Sequence, residues 1–168
     1  MSNQTHLLKR WWRQLNMTRW QMRRAFPEHA LQAITDSVRA SEQRHGGEIR
    51  VVIEAELSLL SLWRGQSPRE RALQLFASLG VWDTQLRNGV LIYLCLADRV
   101  VEIVADRGLQ SKVTDAQWAD LCVQLQADCA SGNYQQGMCG AVQVVGELIG
   151  THYPVADRNE QPDRPVLL

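Results

Sequence analysis

The chain has 168 residues, 45% hydrophobic and 21% charged, with a formal net charge of zero. These values fit one soluble globular domain with room for a sizeable core. No run approaches the ~18 apolar residues that a membrane span needs, and the four cysteines lack Cys-x-x-Cys spacing and sit in apolar company, which excludes a disulfide framework.

Residues 1–26 hold Lys9, Arg10, Arg13, Arg19, Arg23 and Arg24 and no acid, whereas the rest carries twelve bases against eighteen acids. The start has no apolar core of a secretory signal, so a cytoplasmic chain is expected. Residues 7–24 read as a basic, tryptophan-bearing helical arm, with Leu8, Trp11, Trp12 and Leu15 at helical spacing. Its basicity suits an anionic surface or partner. Trp11, Trp12 and Trp20, with Arg13 and Arg19, are its candidate contact residues, at the inner face of a membrane or on a partner. The alternative is an extra helix packed on the domain.

Pro27 opens a second helix, with Ala30, Leu31, Ile34 and Val38 as its apolar stripe and a left-handed stop expected at Gly46-Gly47. "EIRVVIEAE" alternates as a strand. "LSLLSLWRGQ" is an apolar connection with no clear assignment. Ser67, Pro68 and Glu70 form a capping box, and Leu73, Phe76 and Leu79 give the core face of the helix that follows. Residues 90–97 and 100–105 read as a buried strand and its hairpin partner, separated by Asp98-Arg99. Thr114 and Gln117 cap a helix with Trp118, Leu121, Cys122, Leu125 and Cys129 on one face. A last helix runs from about Gln135 to Ile149. The tail from Pro154 holds three of the five prolines and reads as disordered.

The expected fold is therefore α/β: a three-layer α/β/α sandwich with a small mixed β-sheet, plus the basic arm. The divisions are 1–26 (arm), 27–153 (domain) and 154–168 (tail).

The sequence contains no Gly-x-Ser-x-Gly, P-loop, Gly-x-Gly-x-x-Gly or His-Glu-x-x-His motif. The four histidines are scattered, so zinc is not expected. What remains is oxygen chemistry at the predicted strand ends: Asp83, Asn88, Asp98, Asp106 and Asp115, with Glu54 and Glu56. Carboxylates and amides grouped in loops suit calcium or magnesium. Asp98 fits a turn and Asp115 a helix's first turn equally well. Asp83, Asn88, Asp106 and Asp115 form the candidate metal set.

The stretches "GEIRVVIEAEL", "SPRERALQLFASLGVW", "NGVLIYLCLADRVVEIVADRGLQSKVTDAQW" and "GNYQQGMCGAV" are colinear, and with them residues 30–153 resemble a TPM domain. That family includes a thylakoid lumen protein of photosystem repair and many bacterial proteins, often membrane-anchored. The resemblance implies an α/β/α sandwich, calcium binding in some members, and a weak acid phosphatase activity proposed for plant members. Arg87 stands where the family commonly has an acid. Asp106 replaces the first glycine of its Gly-x-Gly-Leu-Glu, and Gln110 replaces the glutamate. Arg87 and Arg107 thus bring cations to this edge, which favours an anion or a protein partner there. The leading expectation is a non-catalytic accessory module that binds a divalent cation weakly and acts with a membrane-associated partner. The alternatives are a metal-dependent acid phosphatase using Asp83, Asp106 and Asp115, and a peripheral membrane binder.

Overall fold

The apolar run after Asn88 forms the sheet that everything else packs on. In the computed structural model, which describes residues 12, 14, 19–154 and 160–168, it is strand β2, Val90–Cys95, buried at all six positions. Ahead of it come α1 Arg19–Ala25, α2 Glu28–Glu42, β1 Ile49–Glu54, α3 Leu59–Trp63 and α4 Pro68–Ser78. After it come β3 Val100–Ala105, α5 Arg107–Gln110, α6 Asp115–Ala130, α7 Tyr134–His152 and β4 Val166–Leu167.

The sheet order is β3-β2-β1-β4. β1 runs parallel to β2 in the register Ile49↔Val90 to Glu54↔Cys95, and β2 pairs antiparallel with β3 from Val90↔Ala105 to Cys95↔Val100. The hairpin pairing agrees with expectation. Alternation then sorts the side chains. Ile49, Val51, Ile53, Val90, Ile92, Leu94, Val101 and Ile103 face one core, covered by α2, α6 and α7. Val52, Leu91, Tyr93, Cys95 and Val104 face a second, smaller core under α4. The result is the mixed three-layer sandwich.

Both capping boxes form. Ser67 Oγ accepts from Glu70 N, Thr114 Oγ1 accepts from Gln117 N, and each N3 side chain reaches back to its cap. Four local expectations need correction. The hairpin connection is 96–99 rather than two residues, because Leu96 N and Ala97 N continue the ladder to β1 by donating to Glu54 O and Ala55 O. The buried face of α4 is Ala72 and Leu75, while Leu73 is exposed and Phe76 and Leu79 only border the core. α2 ends at Gln43 in a right-handed conformation, and neither Gly46 nor Gly47 has a positive φ. Gly47 instead permits close packing, since a Cβ there would lie 2.5 Å from Ile149 Cγ2. Finally, the end of the tail is not disordered: β4 pairs parallel with Val52 and Ile53 of β1.

The arm does not separate from the domain at residue 26. Met22 and Phe26 lie in the main core, and Phe26 packs on Tyr134 with ring centroids 5.4 Å apart. Gln14 is buried, and its Oε1 accepts from Leu57 N at 2.7 Å. Trp12 and Trp20 are exposed. Trp11, Arg13 and the side chain of Arg19 lie outside the described residues. Phe26→Ala should therefore cost about 3–5 kcal/mol, whereas Trp20→Ala should change stability by no more than about 0.5 kcal/mol. Urea unfolding of the two variants checks the contrast.

Candidate functional site

At one end of the sheet β1 and β2 begin and β3 ends, so the loops 84–89 and 106–110 meet there. Asp106 N donates to Gly89 O at 2.9 Å, and Gly108 N donates to Arg87 O at 2.8 Å. A Cβ at Gly108 would lie 2.5 Å from Arg87 O and 2.7 Å from the Tyr153 hydroxyl, so this crossing requires glycine. Arg87 takes φ 53°, the left-handed region, to present its carbonyl. Asn88, Arg87, Asp106 and Arg107 are thus brought together.

Their side chains are largely committed to structure. Asn88 is buried; its Nδ2 donates to Gly46 O and its Oδ1 accepts from Thr84 Oγ1 at 3.3 Å. Asp106 is the N-cap of α5, with Oδ1 accepting from Arg107 N at 2.7 Å. Its buried Oδ2 has no partner among the described residues. Arg87 and Arg107 are exposed. Asp83 is exposed, with its N–H tied to Gly80 O. Asp115 lies in the first turn of α6, lining a separate cleft with Arg69, Glu102 and Trp118. Glu54, Glu56 and Asp98 sit at the opposite end of the sheet, so the predicted oxygen set is divided. Ca2+ takes six to eight oxygens. Asp106 Oδ2 is one suitable ligand, but among the described residues no group of three or more His, Cys, Asp or Glu could hold a metal ion. The donors present do not fit that cation.

A second polar centre lies on β1, and sequence reasoning missed it. Glu42, Glu48 and Arg50 are all buried. Glu42 Oε1 accepts from Ile49 N at 2.8 Å. Glu48 accepts from Glu160 N at 2.9 Å and Gln161 N at 3.1 Å. Arg50 Nη1 donates to Pro162 O and, at 3.4 Å, to Arg164 O, while Arg39 Nε pairs with Asp163 at 3.1 Å. The tail is thus strapped across the end of α2 and the start of β1. Burial pushes the Glu42 carboxyl up to about 8, against the Ile49 N–H and with the Glu48 and Asp163 charges adding to it. Glu48 is raised too, by burial first. The alternation of Glu48, Arg50 and Glu54 marks a strand in the sequence, but only the strap and α4 reveal that these side chains are covered.

At the opposite end, Glu54 is buried and accepts from Arg71 Nη2 at 2.7 Å and from the Tyr93 hydroxyl at 2.6 Å. Burial first, then the Cys95 and Glu54 charges, holds the Tyr93 phenol protonated well above its ordinary range. Beyond Glu54 a groove of about 400 Å3 opens, lined by Gln14, Glu56, Leu57, Leu62 and Leu168 among others. Such a crevice outside the carboxyl ends of parallel strands is where open α/β sheets place ligands. Its rim is α3, capped by Ser58. Leu62 alone of its residues is buried, while Leu59, Leu60 and Trp63 are 62%, 55% and 78% exposed. The sequence displayed this apolar cluster but gave no sign that it faces outward.

Among described residues no helix is long and apolar enough to cross a membrane. The family model described as the TPM domain matches residues 23–148. The fold is similar to the NMR structure of BA42 protein from the psychrophilic bacterium Bizionia argentinensis, at 28% identity and a TM-score of 0.70, covering 83% of this chain and 93% of that one. It is also similar to the N-terminal domain of a protein from P. gingivalis, at 22% identity and a TM-score of 0.60, covering 79% and 82%. No curated protein matches.

Two outcomes follow from this geometry. Asn88→Ala should cost about 2–3 kcal/mol, because it strands Gly46 O and Thr84 Oγ1 in the interior. Asp106→Asn should be neutral or stabilising, since asparagine keeps the cap and removes a buried charge. Thermal melts, with and without millimolar calcium, check both; no shift with calcium is expected for either protein. The carboxyl pair gives a pH dependence. Folded Glu42 holds a proton that the unfolded chain releases near 4.5, so its contribution is complete below that pH and is lost as pH rises through about 8. The slope is on the order of 1 kcal/mol per pH unit across that window. Glu42→Gln should flatten it, as read by urea unfolding between pH 5 and 9.

Proposed function

The chain belongs to the TPM domain family, and we propose that it is a non-catalytic interaction module acting with a membrane-associated partner. One observation carries the reading. α3 presents Leu59, Leu60 and Trp63 to solvent on a five-residue helix that buries only Leu62. Large apolar side chains exposed together mark an interaction surface, and Trp is the residue most enriched at binding hot spots. The adjoining groove adds a concave apolar floor in Leu57 and Leu62 and a carboxylate at Glu56. A lipid-facing arm is the second reading, supported by exposed Trp12 and Trp20 and by Arg24 lying 5.6 Å from the Trp20 ring centroid.

The test is photo-crosslinking in intact cells from position 61, between the exposed side chains. A discrete protein adduct is expected. Leu60→Ser combined with Trp63→Ser should abolish the adduct while changing stability by no more than about 0.5 kcal/mol per exposed site. Lipid adducts alone would favour the second reading. An adduct that survives the double substitution, or phosphate monoester hydrolysis by the purified chain, would overturn the first.

A further inference from the structure

We propose that the cleft between the β2–β3 turn and α6 binds a single-chain amphiphilic anion, an alkyl carboxylate of the fatty-acid type. The site is independent of the α3 surface. Its volume is about 480 Å3, within the range of small-molecule pockets. The floor is apolar: Leu94, Leu96 and Val101 are buried side chains of the strand ends and turn. One wall is an α6 stripe, Val123, Ala127 and Ala130, at the i, i+4, i+7 spacing that puts side chains on one helix face. Elsewhere on α6 such a face is buried against β3 and α7; here it borders open space, and Val123 is 65% exposed.

Charge selects the ligand class. Among the described residues Arg99 is the one charged residue lining the cleft, and no acid lines it. Its side chain is exposed and makes no hydrogen bond or ion pair among the described residues. A cleft with an apolar floor and helix wall, in which Gln126 and Tyr134 are further polar lining residues and Arg99 is exposed, suits an alkyl chain ending in a carboxylate, which a guanidinium binds through two parallel hydrogen bonds. Backbone conformation supports the same assignment. Arg99 has φ 56°, in the left-handed region where glycine or asparagine is the usual occupant. Its N–H closes the turn onto Leu96 O at 3.2 Å. Local strain of this kind is concentrated at binding sites.

The experiment is methyl NMR of the full chain titrated with sodium decanoate below its micelle concentration. Expected are saturable shifts of the Leu94, Leu96, Val101 and Val123 methyls. Arg99→Asn suits the left-handed turn and removes the charge, so it should weaken decanoate roughly tenfold and leave decanol binding unchanged. Ala127→Phe should fill the cleft and abolish both. Phosphatidylglycerol vesicles distinguish the source of the chain. Shifts from decanoate without vesicles support a free carboxylate as ligand, and shifts from vesicles alone overturn it. The proposal also fails if decanoate moves no cleft methyl, if decyltrimethylammonium binds as well as decanoate, or if Ala127→Phe binds unchanged.

Discussion

Strand β1 is buried at all six positions, yet it reads Ile-Arg-Val-Val-Ile-Glu, with a buried Glu48 just before it. A central strand that carries charge into the interior must supply each charge with partners, because an unpaired buried ion costs several kcal/mol. Much of the architecture around the sheet answers that requirement. Glu48 collects two tail amides, Arg50 two tail carbonyls, and Glu54 the Arg71 guanidinium and the Tyr93 hydroxyl. Even so, Arg50 Nε has no partner among the described residues. The strap from 160 onward and the placement of α4 thus serve three side chains, Glu48 just before β1 and Arg50 and Glu54 on it.

This explains which parts of the fold were legible. The hairpin pairing follows from apolar runs and a short connection, which are local, and both capping boxes were readable because their partners lie three residues apart. The tail was misread because it holds three of the five prolines. Its order comes from hydrogen bonds to Glu48 and Arg50, more than a hundred residues earlier. No local pattern carries such information. The same non-local cause hid the Glu42 carboxyl: an acid near a helix end looks solvated until β1 and the strap close over it.

The candidate site shows the opposite failure. Asn88 and Asp106 were singled out for functional chemistry, and the structure does bring them together. Their spacing is dictated by the crossing of two backbones at Gly108. A buried asparagine that bridges two loops and an aspartate that caps a short helix have the same composition signature as oxygen ligands. Sequence cannot separate the two roles, because both want a short polar side chain near a glycine. The difference lies in what is left over: Asn88 has spent its amide and one oxygen contact on the fold, and Asp106 keeps one oxygen with no partner among the described residues.

The same accounting bears on hydrolytic chemistry. Ser41 Oγ and His45 Nε2 are 3.0 Å apart, a distance that in other settings activates a nucleophile. Here His45 Nδ1 accepts from Gly47 N at 3.2 Å, which places the imidazole proton on Nε2, pointing at Ser41. A general base needs the reverse tautomer, with Nε2 free to take the hydroxyl proton. Both side chains are buried, and a Cβ at Gly146 would fall 1.9 Å from Ser41 Oγ, so α7 passes directly over the pair. Burial lowers the His45 pKa, keeping the ring neutral and the tautomer fixed. The pair locks α2 to α7 and to the loop that enters β1. Many polar groups of this fold are thus spent on holding β1 and its connections, while large apolar side chains such as Leu59, Leu60 and Trp63 are left exposed.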